Sequence, residues 1–449
     1  MFIPHTDQET KEMLEVVGVK DIESLFNDIP KKYRFPKLNL PPAMTEMEIM
    51  AEMQNISQAN ESTQDLVCFL GAGVYNHYTP AAVDMLLRRG EFYTAYTPYQ
   101  PEISQGTLQV IFEFQSLITA LTGMEASNAS HYDGATATAE AVIMAYQNFR
   151  GKKNKVILSP TLNPQYRAVA RTYTQGYENL IITGDKSFNP SGEPAALIDQ
   201  LDVQTALVIV QYPDFLGNIF DYTELITKAH EFGAMVAVAV NPVALGMLKT
   251  PGEMGADIVV GEGQPLGLPL SYGGPYLGIF ATKKEYIRKI SGRLVGETVD
   301  GKGNRAYVLT LTAREQHIRR EKASSNICTN QGLLALAATI HLSLLGKHGL
   351  KKVAELDYHK AHYAAEKIAA IPGYSVCMDH PYFNEFVVCC PAPARDINAH
   401  LLEHGILGGY ELEKDYPEME NHLLVAVTEM NTKDEIDMLC EVLAEVDHE

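Results

Sequence analysis

Short apolar stretches alternate with helical stretches through the middle of this 449-residue chain, and that alternation restricts the fold more than any other feature. The helical stretch at 221–232, for example, ends at Gly233 just before the next apolar run. Apolar runs that alternate with helices are typical of a mainly parallel sheet buried on both faces. The sequence therefore predicts an α/β domain with strands at 156–159, 180–183, 206–210, 235–240 and 258–260.

The last of these strands runs into a loop rich in glycine and proline at 261–275. Its glycine spacing misses the dinucleotide-binding pattern, and its prolines prevent the helix that such a pattern needs. The loop resembles the strand-turn-strand segment that carries the cofactor lysine in large pyridoxal-phosphate enzymes. It contains no lysine, and the nearest ones, Lys249 and Lys283, lie outside it. The chain is therefore expected to keep a cofactor fold without its covalent anchor.

The composition allows a large core, because 46% of the residues are hydrophobic and 20% are charged. An N-terminal helical arm is predicted at 1–60, where a capping box formed by Thr6 and Glu9 begins the first helix. This arm has too few apolar residues for a core, so it is expected to lie on a neighbouring subunit or on its own domain. A large α/β domain at 61–330 and a small α+β domain at 331–449 are predicted to follow.

Charge and cysteine usage exclude several classes of function. The formal net charge of −20 argues against nucleic acid or an anionic membrane as partners. The six cysteines show no C-x-x-C spacing, which favours a reducing compartment over a disulfide framework or a zinc site. We find neither a signal-peptide pattern nor a run of about 18 apolar residues. We therefore expect a cytoplasmic protein that has no metal centre.

A proline-stiffened loop at 92–105 carries tyrosine hydroxyls, amides and a carboxylate close together. Proline keeps such a loop out of a sheet interior, so its polar side chains suit the wall of a binding site better than a core. The candidate residues in this tyrosine loop are Tyr93, Tyr96, Tyr99, Glu102 and Gln105.

Two further segments each allow two interpretations. Small residues around Asp133 and Gly134 precede a helix, where they suit either an anion at its N-terminus or close packing of the helix on the sheet. The densest group of basic residues lies at 314–322 and is either a solvated helix face or a site for an anion or an acidic partner. Its candidate functional residues are Arg314, His317, Arg319 and Arg320.

The segments 96–109, 132–141, 273–278 and 314–331 together resemble the glycine dehydrogenase (decarboxylating) family, the P-protein of the glycine cleavage system. The length and the missing lysine are similar to the alpha subunit of its two-gene form. The resemblance implies a type I pyridoxal-phosphate-enzyme fold and a partner, a beta subunit that carries the lysine in an assembly expected to be α2β2. It places Gln264 where that lysine would stand and Asn241 where the family's pyridinium-pairing aspartate would be expected.

The resemblance also implies a reaction, in which glycine is decarboxylated on the partner's pyridoxal phosphate and the aminomethyl group passes to the lipoyl group of the H-protein. The tyrosine loop would form a wall of that site, and the basic residues would neutralise a carboxylate or guide the carrier. Two alternatives stay open. One is a stand-alone pyridoxal-phosphate enzyme that uses Lys249 or Lys283, and the other is a structural partner that contributes no side chain to chemistry.

Overall fold

The computed structural model describes residues 4–93, 95–185 and 193–446, which divide between residues 61 and 62 into two compact units. The described α-helices are α1 (Asp7–Val17), α2 (Glu46–Gln58), α3 (Ala81–Leu87), α4 (Gln105–Thr122), α5 (Gly134–Asn148), α6 (Pro164–Thr174), α7 (Pro194–Ile198), α8 (Thr223–Glu231), α9 (Pro251–Met254), α10 (Gln316–Arg319), α11 (Gly332–Ala369), α12 (Ala394–Glu403) and α13 (Lys433–Ala444). The described strands are β1 (Val67–Cys68), β2 (Ala126–Ser127), β3 (Lys155–Leu158), β4 (Ile181–Thr183), β5 (Thr205–Tyr212), β6 (Met235–Val240), β7 (Ile258–Glu262), β8 (Gly278–Thr282), β9 (Leu294–Val299), β10 (Arg305–Thr310), β11 (Ser375–Val376), β12 (Glu385–Cys389), β13 (Ile406–Leu407), β14 (Tyr410–Glu411) and β15 (His422–Ala426).

The first unit contains α1 and α2, joined by two short 3₁₀ helices. The predicted capping box is confirmed, because the Thr6 hydroxyl accepts the Glu9 backbone N–H and the Glu9 carboxylate accepts the Thr6 backbone N–H. Neither helix buries any residue, and Val16 is 89% exposed. The unit therefore has no core of its own, as expected of an arm, whereas its place on a neighbouring subunit stays a prediction.

A mixed sheet forms the centre of the second unit. Within the described residues its strand order is β2-β8-β7-β6-β5-β3-β4, with β4, β3, β5, β6 and β7 parallel and β8 antiparallel to both of its neighbours. Side chains of β6 alternate between two hydrophobic clusters, with Val236 and Val238 in one and Ala237 and Ala239 in the other. The sheet is thus buried on both faces, as the continuous apolar strands predict.

A smaller antiparallel sheet with the order β11-β12-β15-β14 follows in the C-terminal part of the described chain. One face packs on α11, α12 and α13 through residues such as Phe386 and Val388. Strand β1 pairs in parallel with β13, and the adjacent Phe69 lies in the same core. A segment far upstream therefore belongs to this core, which no local pattern in the sequence predicts.

Helix α11 connects the two cores. Its first half, including Ala335 and Leu342, packs in the core of the large sheet, and its second half, including Ala364 and Ile368, packs under the small sheet. Gly346 interrupts it with non-helical angles (φ 57°, ψ −179°), near the position where the sequence pattern predicts one helix to end at about Leu345 and another to begin at about Leu350. Among the described helices, α11 is long and apolar enough to cross a membrane, but its contacts are those of a core helix. The domain boundaries at 60 and 330 stay predictions.

Three predictions from local sequence patterns are wrong. The polar stretch 292–304 predicts a turn region, but β9 and β10 pair there as an antiparallel hairpin, with Arg305 opposite Val299. Thr79 before Pro80 predicts Thr79 as the N-cap of a helix at 80–89, but Pro80 is the N-cap residue of α3. Asn330 before a long apolar stretch predicts a helix cap at Asn330, but α11 begins at Gly332 with Gln331 as its N-cap, and Asn330, with a positive φ of 65°, lies outside the helix.

Candidate functional site

The carboxyl ends of β5, β6 and β7 meet at the place where open α/β sheets usually bind their ligands. A cavity of only about 20 Å³ lies there, room for about one water molecule. The side chains and backbone that close it include Tyr75, Asn163, Tyr166, Gln211, Asn241, Glu262, Asn384 and Glu385. The described residues that line it include no lysine.

Gln264, predicted to replace the family's lysine, is 1% exposed and follows Glu262, which lines this cavity, by two residues. Its side-chain oxygen accepts the Tyr75 backbone N–H at 3.0 Å. Its side-chain nitrogen donates to the carbonyls of Tyr75 and Leu268, each at 2.9 Å. These three bonds tie the glycine-rich loop to the segment at Tyr75, so the amide is a structural link.

Asn241, at the predicted position of the pyridinium-pairing aspartate, lines the same cavity. Its side-chain oxygen accepts the Val243 backbone N–H at 3.0 Å, and its amide nitrogen lies 3.5 Å from Asn384 Oδ1. A neutral amide whose oxygen is already bonded supplies no negative charge for a pyridinium nitrogen.

The Glu262 side chain binds at the N-terminus of α5, where the sequence allowed either anion binding or close packing. Its carboxylate accepts backbone N–H groups of Gly134 at 3.0 Å, Gln264 at 2.9 Å and Leu277 at 3.0 Å. A Cβ added to Gly134 would lie 2.1 Å from the Tyr166 hydroxyl, so close packing requires the glycine. The chain's own carboxylate therefore takes the Gly134 N–H, one of the α5 donors that an anionic ligand would need.

These observations decide whether pyridoxal phosphate fits this edge of the chain. The cofactor needs an amine for its aldehyde, an anion for its ring nitrogen and free donors for its phosphate. Gln264 offers a bonded amide, Asn241 is neutral, and the Gly134 N–H is bound by Glu262. A cavity of about 20 Å³ is also far smaller than the cofactor. The residues at this edge do not fit the group.

The two lysines of the stand-alone alternative are engaged elsewhere. Lys249 Nζ lies 3.2 Å from Asp221 Oδ2 and 2.9 Å from the Thr223 hydroxyl. Lys283 Nζ donates to Asp257 Oδ1. Neither residue lines the cavity, so neither lysine of the stand-alone alternative is positioned to bind a cofactor there.

Buried carboxyl groups surround the small cavity. Glu385 accepts the Tyr75 hydroxyl at 2.5 Å and the Ala72 backbone N–H at 2.7 Å, yet burial raises its pKa to about 7. Burial likewise raises the pKa values of Asp214 and Glu262 to about 7. Because the folded chain holds these protons after the unfolded chain has released them, stability falls as pH rises from about 4.5 to about 7.

We expect Glu385→Gln to reduce this pH dependence. The amide can donate to Tyr75 and accept from Ala72 without ionising, so the variant should gain on the order of 3 kcal/mol over the parent chain at pH 8 and little at pH 4.5. Urea unfolding of both chains across this range measures the difference. Glu297→Gln, at an exposed carboxyl on β9, is the control. Parallel pH profiles for the Glu385→Gln and parent chains would contradict the assignment.

A larger cavity, of about 460 Å³, opens beside the tyrosine loop. Tyr93 and Tyr96 line it and are 63% and 91% exposed, so their hydroxyls are free to meet a partner or a ligand. The rest of its lining includes Phe92, Ala95, Thr107, Val110, Thr329, Asn330, Gln331, Gly332, Leu333 and Leu336. The structure thus brings the tyrosine loop against the beginning of α11.

Arg293 connects the tyrosine loop to the basic segment. Its guanidinium is 2% exposed, donates to the Tyr99 hydroxyl at 2.6 Å and lies 3.3 Å from Glu315 Oε2. His317 Nδ1 lies 3.5 Å from the same carboxylate oxygen, and its ring centre is 5.4 Å from that of Tyr99. The structure therefore brings Tyr99 and His317 together. Sequence reasoning missed Arg293 and Glu315 because their partners are distant along the chain.

The other predicted site residues separate into two groups. Gln105 bonds the Pro101 carbonyl and both backbone groups of Tyr307, and Arg314 donates to the carbonyls of Leu311, Ile290 and Gly292. These contacts give both side chains structural tasks, and a binding role for either stays a prediction. Glu102, Arg319 and Arg320 are exposed and form no ion pair with a described residue. Their roles, like those of Tyr93, Tyr96, Tyr99 and His317, stay predictions.

Comparisons with known proteins agree on one family. A family model described as the glycine cleavage system P-protein matches residues 1–443. A protein of Thermomicrobium roseum named probable glycine dehydrogenase (decarboxylating) subunit 1 is 54% identical over 445 residues, which are 99% of this chain and 99% of that protein. A protein of the same name from Desulforamulus reducens is 52% identical over 440 residues, 98% of each chain.

Solved structures give the same result for the fold. A crystal structure of glycine decarboxylase (P-protein) of the glycine cleavage system, in inhibitor-bound form, superposes with a TM-score of 0.89 at 40% identity and covers 99% of both chains. A sphingosine-1-phosphate lyase of Burkholderia pseudomallei superposes with a TM-score of 0.66 at 15% identity, covering 93% of this chain and 94% of that one. The second likeness shows the fold alone. The predicted type I pyridoxal-phosphate-enzyme fold is confirmed.

Proposed function

The chain belongs to the glycine cleavage system P-protein family, and we propose that it is the alpha subunit of a two-chain enzyme whose pyridoxal phosphate is held by a beta subunit. The complete enzyme decarboxylates glycine and transfers the aminomethyl group to the lipoyl group of the H-protein. The designation subunit 1 in the relatives' names supports the existence of a partner chain. An assembly of two alpha and two beta chains is the stoichiometry we propose.

This assignment of the cofactor to the partner chain rests on one observation, that the residues at the carboxyl edge of the large sheet do not fit pyridoxal phosphate. Gln264 is fixed by three hydrogen bonds and Glu262 takes the Gly134 N–H at the N-terminus of α5, so the described residues at this edge offer a cofactor no amine and one donor fewer for its phosphate. A family member that lacks these groups needs them from another chain to catalyse the family reaction. The partner is therefore expected to carry the lysine and the cofactor.

This chain's contribution is proposed to be the wall formed by the tyrosine loop. Tyr93 and Tyr96 are exposed and line a cavity of about 460 Å³, and the Tyr99 hydroxyl in the same loop accepts a hydrogen bond from Arg293. Arg319 and Arg320 are exposed and available to neutralise a carboxylate of the substrate or of the carrier. The proposed tasks of these residues are binding and orientation.

We expect Tyr96→Phe and Arg319→Ala each to lower glycine-dependent bicarbonate exchange by the assembled complex by about tenfold, the equivalent of about 1.4 kcal/mol. The complex is to be obtained by co-expression with a lysine-bearing homologue, and size-exclusion chromatography should show unchanged assembly. Tyr173→Phe and Arg395→Ala, at exposed positions elsewhere in the fold, are the matched controls. Exchange by this chain alone would contradict the two-chain proposal, while unchanged rates in both variants would remove Tyr96 and Arg319 from the site.

The cytoplasm is the proposed location of the enzyme. All six cysteines are free in the structure, which supports a reducing compartment.

A further inference from the structure

Two thiols and an imidazole meet on the small C-terminal sheet, and they line neither of the two cavities described above. The ligand atoms of Cys377, Cys389 and His422 all lie within 4.8 Å of one another. Cys377 is exposed, whereas Cys389 and His422 are partly buried, so solvent reaches the group from one side. No part of the proposed glycine reaction uses these residues.

Strand register explains why the three side chains meet. Cys389 on β12 lies directly opposite His422 on β15, and the Cys377 backbone N–H continues the β11 ladder by donating to the Val387 carbonyl at 2.8 Å. Val387, two residues before Cys389, and Leu424, two residues after His422, pack together in one cluster. The Cys377–Cys389–His422 cluster therefore lies on that face of the sheet, while Cys390 belongs to the core on the other face.

The spacing suits a bound cation better than a disulfide. Ser375, not Cys377, is opposite Cys389, so the two cysteines are diagonal neighbours whose Cα atoms are expected about 7–8 Å apart. Disulfides rarely span Cα distances above about 6.8 Å. Donor atoms around a tetrahedral zinc ion lie about 3.6–3.8 Å apart, which these side chains reach with small rotations.

The surroundings of the cluster also suit a metal. The buried Nδ1 of His422 makes no well-formed hydrogen bond with any residue that the structure describes, and the nearby Met419 carbonyl accepts the His422 backbone N–H. The Ser375 hydroxyl lies 3.8 Å from Cys377 Sγ and can donate to a bound thiolate, as outer-shell partners of metal ligands do. Two soft thiolates with one imidazole favour zinc or another thiophilic cation over magnesium or calcium.

We propose that Cys377, Cys389 and His422 form a binding site for a thiophilic divalent cation, with zinc as its expected occupant. Three protein ligands leave a fourth position open to water on the exposed side. The absence of C-x-x-C spacing, which counted against a zinc site in the sequence, excludes only sites built from neighbouring residues. Here the ligands come from three adjacent strands, and the cation would fix the edge strand β11 to β12 and β15.

The test uses the full chain, stripped with a chelator and titrated with Co²⁺, which gives an absorption band when thiolates bind it. We expect one equivalent of Co²⁺ to produce the band, Zn²⁺ to displace it, and Zn²⁺ to raise the thermal unfolding temperature. Cys377→Ser should abolish the band and weaken Zn²⁺ binding by at least about tenfold, because it removes a direct ligand. Cys328→Ser, which removes another exposed thiol, should change neither.

Cys377 is exposed, so its replacement leaves the packing of the sheet intact, and His422→Gln gives a second variant that keeps both thiols. Loss of the band in both variants but not in Cys328→Ser supports the site. An unchanged band in Cys377→Ser would overturn it. A Cys377–Cys389 disulfide found by peptide mapping of the unreduced chain would overturn it as well.

Discussion

Replacing Arg293 with methionine should destabilise the chain by about 3–5 kcal/mol, the cost of leaving one partner of a buried ion pair uncompensated. Glu315 is also buried, its Oε1 has no hydrogen-bond partner among the described residues, and its other basic neighbour, His317, is 39% exposed, so Arg293 is its buried cationic partner. The variant also loses the hydrogen bond to the Tyr99 hydroxyl. It loses as well the contact between the guanidinium and the Tyr99 ring, whose centre lies 5.1 Å from the guanidinium carbon. Urea unfolding of the full chain measures the loss.

The control for this prediction is Arg288→Ala, at an exposed arginine of the same segment, which should change stability by less than about 0.5 kcal/mol. A double variant, Arg293→Met with Glu315→Gln, should recover part of the loss because it removes the stranded charge. If Arg293→Met is no more destabilising than Arg288→Ala, the ion pair does not hold the tyrosine loop.

Restoring a lysine at the predicted position should fail to restore a cofactor site. Gln264→Lys breaks the three hydrogen bonds to Tyr75 and Leu268 and places an ammonium group where the side chain is almost fully buried. We expect a loss of about 3 kcal/mol or more, or a lysine kept neutral by burial. Borohydride reduction after incubation with pyridoxal phosphate should leave residue 264 unlabelled, because this position is 1% exposed and the nearby cavity lined by Tyr75 and Glu262 holds only about 20 Å³.

Gln264→Met separates the loss of the hydrogen bonds from the cost of the buried charge. It removes the hydrogen bonds without adding a charge, so its cost should stay within about 1–3 kcal/mol, and the difference from Gln264→Lys measures the buried ammonium group. A Gln264→Lys chain as stable as the parent, labelled at residue 264, would show that only the missing amine keeps the cofactor out.

The sequence predicted the centre of the fold well and its edges less well. Strand β6 was predicted at its observed limits, because the seven consecutive apolar residues at 234–240, between Gly233 and Asn241, allow few other arrangements. Strand β9 was missed because Gly296, Glu297 and Thr298 interrupt its apolar pattern, and its pairing with β10 leaves one side exposed. Hairpins of this kind depend on partner strands that local patterns do not identify.

For the candidate site, the sequence showed which residue types are present but not which of them are in contact. The absence of lysine from the glycine-rich loop was visible in the sequence, but the bonds that fix Gln264 join residues 189 positions apart. Arg314 belonged to the most basic segment, yet its guanidinium binds backbone carbonyls. Arg293 lies outside that basic segment, yet its side chain contacts both Tyr99 and Glu315.

The most direct test is to locate the cofactor in the assembled enzyme. The complex of this chain with its lysine-bearing partner is incubated with pyridoxal phosphate, reduced with borohydride and digested, and the labelled peptide is identified by mass spectrometry. The account predicts a stoichiometric pyridoxyl-lysine on the partner and none on this chain. A stoichiometric adduct on one of this chain's own lysines, such as Lys249 or Lys283, would contradict it.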